Sequence, residues 1–333
     1  MTFINLNEQK NVGNNETNEQ FALDVLMGLS SKPKHIPPKY FYDAKGSELF
    51  QKITDSSDYY VTECEKEILV SNAHRIVNQI DVENINIVEL GAGDGRKTKT
   101  LLEAFLNSGK KIRYVPVDIS ESAIRQLSED LSKNWSQLEV MGIVSEYFQA
   151  LRWLGEENKG RNFVMFLGSN IGNFNSPQAS VFLRTMWNAL NPGDFAFIGF
   201  DLKKDIDVMI RAYNDSDGVT EQFNLNLLNR MNDELGANFN REKFEHYGTY
   251  NVKLGAMESF LVSKEEQNVE IKSLNKTFHF KPYEPIHVEF SFKYLPQEVK
   301  QLLSDTGFRM VETYFDEKQY FMDALVEVVK ATN

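Results

Sequence analysis

Cysteine is nearly absent. Cys64 is the only one in 333 residues, so no internal disulfide can form and stability must come from the core. Histidine is scarce too: the five, His35, His74, His246, His279 and His287, show no metal-ligand spacing, and with a single thiol no metal site is expected. Positive charge is in deficit, with 36 Lys and Arg against 48 Asp and Glu and a net charge of −12. Phosphate binding needs a basic stripe and none stands out, so nucleic acid is not an expected partner. No apolar run reaches the roughly 18 residues that a membrane-spanning helix needs, and the amino-terminal stretch is polar rather than charged and then apolar. These absences predict a soluble, cytoplasmic protein with no nucleic-acid or membrane partner, and a monomer is expected. The length allows one large domain or two.

What the chain does have is Ile85-Asn86-Ile87-Val88-Glu89-Leu90-Gly91-Ala92-Gly93-Asp94-Gly95-Arg96-Lys97. A β-branched apolar run that ends in an acid and then three glycines at alternate positions reads as a buried strand turning tightly into a helix. Glycine reaches positive φ without penalty and has no Cβ, so such a turn can press main-chain N–H groups against a cofactor. The spacing is Glu-x-Gly-x-Gly rather than Gly-x-Gly-x-x-Gly, and a carboxylate at the strand's end suits a cationic amino-acid tail where it would repel a diphosphate. The turn therefore favours S-adenosylmethionine, with a dinucleotide as the alternative; Gly91, Gly93 and Lys97 are counted as cofactor residues.

In chain order, residues 1–18 read as a flexible arm. A helical pattern from Phe21 to Leu29 is broken by Pro33, Pro37 and Pro38, and an aromatic loop over Lys39–Phe50 precedes Asp58-Tyr59-Tyr60-Val61-Thr62. Thr62 and Glu65 predict a capping box that opens a helix to Gln79. Beyond the glycine turn, strand and helix alternate, which predicts a doubly wound parallel sheet. Its second strand, Ile112–Asp118, ends in an acid placed to bind ribose hydroxyls, or else one that merely precedes the helix capped by Ser120. Leu138–Val144 is followed by Glu146 and Tyr147, an acceptor and a ring for adenine. Phe163–Leu167 runs into Gly168-Ser169-Asn170-Ile171-Gly172-Asn173, then a helix capped by Ser176, and Phe195–Asp201 is the fifth strand. Alternation fails over 202–285, which reads as an inserted substrate-binding lid carrying one helix from Thr220 to Gly236 and strand-like stretches at 250–262 and 269–280. The core is expected to resume with a sixth strand at Ile286–Lys293, a helix over 296–306 and a last strand at 321–329. The expectation is a mostly parallel, seven-stranded Rossmann-like sheet (61–201 and 286–333) with an inserted α+β substrate-binding domain (202–285), to which 19–60 contributes.

Six segments in this order carry a recognisable pattern: Tyr40-Phe41-Tyr42-Asp43-x-x-Gly46-Ser47-x-Leu49-Phe50, Tyr59-Tyr60-x-Thr62, Glu89-Leu90-Gly91-x-Gly93, Phe166-Leu167-Gly168-Ser169-x-Ile171-Gly172-Asn173, Arg211-Ala212-Tyr213-Asn214-Asp215 and Glu289-x-Ser291-x-Lys293-Tyr294. Over about residues 20–330 the chain resembles the histidine-specific Nα-methyltransferases of ergothioneine biosynthesis. The resemblance implies S-adenosylmethionine-dependent trimethylation of the α-amino group of L-histidine to hercynine. It also implies that Asn173 and Tyr213 hold the substrate's carboxylate and amino end with Tyr59 beside the amine, and that Glu289 and Ser291 bind the imidazole with Tyr42 nearby. Gly91, Asp118, Glu146, Tyr147 and Gly168 would serve the cofactor, with Tyr59 and Asn173 orienting the amine for transfer. Four positions depart from the family: Val61 for proline, Glu146-Tyr147 for an Asp-Phe pair, and Ser259 for the methionine that the mycobacterial type sets against the imidazole. Ser259 motivates the alternative of another aromatic amino acid, such as tryptophan or a derivative. A non-catalytic S-adenosylmethionine-binding module is the alternative from a different class.

Overall fold

The structure is a computed structural model that describes residues 2–6, 14–157 and 160–330. The chain begins with β1 (Thr2–Asn5), α1 (Asn14–Ser30), β2 (Lys34–His35), α2 (Ala44–Thr54) and α3 (Tyr60–Gln79). Alternation follows: β3 (Asn84–Leu90), α4 (Thr98–Asn107), β4 (Lys111–Asp118), α5 (Glu121–Asn134), β5 (Glu139–Val144), α6 (Tyr147–Glu157), β6 (Arg161–Phe166), α7 (Ser176–Ala189) and β7 (Phe195–Asp201). Then come α8 (Ile206–Tyr213), α9 (Val219–Leu235), β8 (Phe244–Asn251), β9 (Ala256–Ser263), β10 (Gln267–Ile271), β11 (Lys276–Phe280), β12 (Pro285–Phe292), α10 (Pro296–Asp305), β13 (Phe308–Phe315) and β14 (Phe321–Val328). Two units emerge: Met1–Asn7, Val61–Lys203 and Phe292–Asn333 form one, Glu8–Tyr60 and Lys204–Ser291 the other.

The first unit is a doubly wound sheet in the order β1-β5-β4-β3-β6-β7-β14-β13. It is parallel except for β14, which runs antiparallel to both β7 and β13. The central strands are buried on both faces, which is why they read as near-continuous apolar runs: on one side Val88, Val115, Val164 and Ile198 pack with Leu151, Phe182 and Leu183 of α6 and α7, while on the other Phe163 meets Phe105 of α4 and Phe197. The order in which successive strands are added reverses between β3 and β6, which are parallel, and the carboxyl ends of strands at such a switch point are where open α/β sheets bind ligands.

Two expectations are corrected here. The flexible arm over 1–18 is ordered in part: β1 pairs parallel with β5 from Thr2↔Met141 to Asn5↔Val144, making eight strands rather than seven, and α1 already begins at Asn14. Four residues have too little local preference to declare a strand; β1 forms because the open edge of β5 offers unpaired backbone. The rest of the expected arm, residues 7–13, lies outside the described residues. The strand at Ile286–Lys293, expected in the core, is β12 of another sheet; the core's antiparallel edge is the β13–β14 pair instead. Ile286 and Val288 alternate with less buried neighbours, a period-2 pattern that suits a sheet with one covered face rather than a doubly covered one.

The second unit holds the sheet β2-β12-β9-β8 and the β10–β11 hairpin. The expected strand-like stretches at 250–262 and 269–280 are thus two hairpins, broken by turns at 252–255 and 272–275. Phe223, Leu227, Leu228 and Met231 of α9 and Phe21 and Val25 of α1 pack with Ile286 and Val288 of β12 in one core. Helix α9 ends as its sequence requires, at Gly236 with φ 64°.

Candidate active site

Gly91, Gly93 and Gly95 connect β3 to α4 with φ values of 77°, 54° and 65°, a conformation side chains rarely adopt. Their amides do not form the ligand platform that the sequence suggested. Gly91 N and Ala92 N donate to Val117 O (2.8 and 3.1 Å), and Gly95 N donates to Ala92 O (3.0 Å). Gly93 N donates to Asp118 Oδ2 (3.0 Å). What the glycines supply is the missing Cβ. One added at Gly91 would lie 2.8 Å from the Tyr147 hydroxyl, whereas one at Gly93 would meet nothing within 4 Å. Approach to the turn is therefore open over Gly93.

Asp118 ends β4 with each oxygen taking one backbone donor, Gly93 N and Ser120 N. It steadies the turn before α5 and keeps acceptor capacity for further donors. Burial raises its carboxyl above the ordinary value against hydrogen bonds from the Ser120, Gly93 and Ile119 amides. Glu146 and Tyr147 stand at the start of α6, Glu146 exposed and Tyr147 packed edge-on to Phe166 with ring centroids 5.2 Å apart.

Glu89, read as a carboxylate facing the cofactor's tail, is instead turned into the protein. Thr98 and Tyr114 each donate a hydroxyl to one of its oxygens, and burial pushes it up to about 7 against those hydrogen bonds. The carboxylate beside Lys97 and Gly168 is Glu65, expected to close a capping box with Thr62. Helix α3 starts at Tyr60, two residues before the expected cap, and Glu65 faces inward at 0% exposure. Its Oε1 accepts the Gly168 amide at 2.7 Å and its Oε2 ion-pairs with Lys97. The signal was present: Glu65 shares its helix face with Val61, Ile68 and Leu69, an apolar stripe where a lone acid needs a partner. The helix after Asn173 likewise starts one residue off expectation, its capping box formed by Asn175 and Gln178.

Residues expected at the substrate fall in both units. Asn173 closes a single 3₁₀ turn, Asn170–Asn173, in the sheet unit. In the other unit the Tyr213 hydroxyl donates to Ser291 Oγ at 2.7 Å, both residues being buried. The Tyr59 and Tyr213 rings lie 6.4 Å apart, and Phe50 links Tyr59 to Tyr42. Glu289 precedes Ser291 by two on β12, and Ser259 Oγ on β9 donates to its Oε2 at 3.4 Å. Neighbouring motif residues pin Tyr213: Asn214 exchanges two hydrogen bonds with Gly248, and Asp215 caps α9 through the Val219 and Thr220 amides.

The profile of the family described as histidine-specific methyltransferase, SAM-dependent, matches residues 21–328. The chain belongs to this family. The methyltransferase is 34% identical over 298 residues to histidine N-alpha-methyltransferase of Mycolicibacterium smegmatis, covering 90% of this chain and 92% of that one. It is 33% identical over 307 residues to ergothioneine biosynthesis protein 1 of Schizosaccharomyces pombe, covering 88% of this chain and 39% of that protein. A 4-dimethylallyltryptophan N-methyltransferase of Claviceps purpurea is 27% identical over 318 residues, covering 89% and 91%. The methyltransferase's cofactor is S-adenosylmethionine, and its residues fit that group: a Cβ-free approach at Gly93, an acid at the end of β4, and a cation, Lys97, anchored beside Gly168. Among the described residues no cluster of His, Cys, Asp and Glu could hold a metal ion, and no helix is long and apolar enough to cross a membrane.

Proposed function

We propose that the methyltransferase transfers three methyl groups in succession from S-adenosylmethionine to the α-amino nitrogen of L-histidine, giving hercynine, the first step of ergothioneine biosynthesis. The observation that carries this reading is the buried Tyr213–Ser291 hydroxyl pair two residues from Glu289. An imidazole has two ring nitrogens, and a carboxylate with a hydroxyl on one strand can satisfy both. A site built to hydrogen-bond rejects substrates that cannot reciprocate. In this reading Glu289 and Ser291 hold the ring with Tyr42 nearby, Asn173 and Tyr213 hold the carboxylate and amino end, and Tyr59 lies beside the amine. Gly91, Gly93, Lys97, Asp118, Glu146, Tyr147 and Gly168 serve the cofactor.

Methyl transfer needs a neutral amine lone pair in line with the sulfonium carbon, so the residues' task is alignment and removal of a proton. Tyr59 and Asn173 are assigned the alignment. Bound at the ring and carboxylate ends, the substrate keeps one position while its nitrogen grows by three methyls. The working form is taken to be a cytoplasmic monomer. The deciding assay incubates the protein with S-adenosylmethionine and L-histidine and follows products by mass spectrometry. Three successive methyl additions are expected, ending at hercynine.

A second reading rests on Ser259, a small, buried side chain beside Glu289. The Claviceps relative is named for an indole amino acid, and a pocket wall this small leaves room for a larger ring. Turnover on tryptophan derivatives with none on histidine would replace the first reading by this one.

A further inference from the structure

Four ionisable side chains from four elements converge inside the sheet unit: Glu65 on α3, Glu89 on β3, Lys97 before α4 and Asp323 on β14. Glu65 alone links two parts of the cofactor site, because it takes the Gly168 amide with one oxygen and the Lys97 ammonium with the other. Space for it is made by Gly199, where an added Cβ would collide with Glu65 Oε1. Lys97 reaches outward, its side chain 25% exposed, while its partner carboxylate is wholly buried.

We propose that Glu65 is a positioning residue for cofactor binding, holding the Lys97 ammonium and the Gly168 amide in a preset arrangement for the amino-acid tail of S-adenosylmethionine. The inference rests on the assignment of Lys97 and Gly168 to that tail. A flexible lysine left to itself would have to be ordered by the ligand, and that ordering would subtract from affinity; Glu65 does the ordering beforehand. Two further acids of the cluster, Glu89 and Asp323, are buried. Asp323 pairs across the sheet with Gly199, is fully buried, and neither of its oxygens has a hydrogen-bond partner. Burial first, and then the Glu65 charge, push its carboxyl well above the ordinary value, with Lys97 opposing, so Asp323 stands as the neutral acid. Burial by itself would lower the Lys97 ammonium, but the Glu65 carboxylate, by its charge and its hydrogen bond, holds it above its ordinary value.

The test measures S-adenosylhomocysteine affinity by calorimetry on the full chain. In E65Q the new amide still offers an acceptor to Gly168 but no charge to Lys97. Its Kd is expected to rise on the order of tenfold at neutral pH, since a hydrogen bond to a charged group is lost. It should rise further as the pH is raised above neutral and the unpaired, desolvated ammonium gives up its proton, whereas the unsubstituted protein, whose ammonium Glu65 holds up, stays flat over the same range. The KM for S-adenosylmethionine should climb with it while kcat at saturation changes little. D323N, which mimics the neutral acid, should leave the Kd within about twofold. Should E65Q fail to fold, G199A provides the same reading, because its methyl must displace the Glu65 carboxylate. An E65Q or G199A protein with the original Kd and a flat pH profile overturns the proposal, as does a D323N protein that has lost binding. K97M separates the two levels: an unchanged Kd there removes the tail assignment itself, whereas a raised Kd in K97M beside an unchanged one in E65Q removes only the role of Glu65.

Discussion

Glu289 and Asp118 are carboxylates at strand positions in different units, and their surroundings set them different tasks. Glu289 is partly buried, approached by the Ser259 hydroxyl. Asp118 is already held at both oxygens by main-chain amides. Their substitutions should therefore separate two ligands. Glu289→Ala is expected to raise the histidine KM on the order of a hundredfold, the cost of a lost charged hydrogen bond and an unpaired imidazole nitrogen, while S-adenosylhomocysteine affinity stays within about twofold. Asp118→Ala should do the reverse. Equal loss of both ligands in either variant would contradict the assignment.

At the scale of the element, the β3–α4 turn shows that three glycines with similar dihedrals do different work. Gly91 and Gly93 both have positive φ, so alanine at either strains the backbone by about 1–2 kcal/mol. Only at Gly91 does the added methyl also run into the Tyr147 hydroxyl and the Asn170 amide, at 2.8 and 3.0 Å. Gly91→Ala should accordingly lower the melting temperature more than Gly93→Ala, by several degrees. Gly93→Ala, whose methyl enters open space, should weaken S-adenosylhomocysteine binding out of proportion to its small loss of stability. Parallel losses in the two variants, measured by calorimetry and thermal unfolding, would contradict an open approach over Gly93.

For the whole molecule, stability against pH follows from buried groups that titrate in opposite senses. Glu89, pushed up to about 7 by burial, keeps in the folded state a proton that the unfolded chain releases above its ordinary 4.5. Its contribution is full below about 4.5 and is lost as pH rises towards 7, an amplitude on the order of 3 kcal/mol. His287, held down to about 4 by burial and then by His35, is stabilising above its ordinary 6.5 and loses that contribution as pH falls towards 4. Between about pH 4.5 and 6.5 the two slopes oppose each other, which flattens the profile of the native protein. Glu89→Gln removes the falling component, so its unfolding free energy in urea should climb with pH through that window relative to the unsubstituted protein. Profiles that remain parallel would mean that Glu89 is ionised in the fold throughout.

The order of motifs, the strand–glycine–helix turn at 85–97, the acid closing β4 and the alternation that makes the sheet doubly wound were all determined by the sequence. Each depends on a few adjacent residues: φ preference at glycine, apolar period, and a cap or carboxylate at an element's end. Tertiary structure decided the rest. Thr2–Asn5 is a strand because the edge of β5 was open to it, and Ile286–Phe292 joined the smaller sheet, where Ile286 and Val288 pack with α1 and α9. Glu89 turned inward to Thr98 and Tyr114, and Glu65 took its place beside Gly168, 103 residues along the chain. No local preference encodes a contact of that span. It exists because folding buries a charge that must then find its partner wherever the chain has brought one.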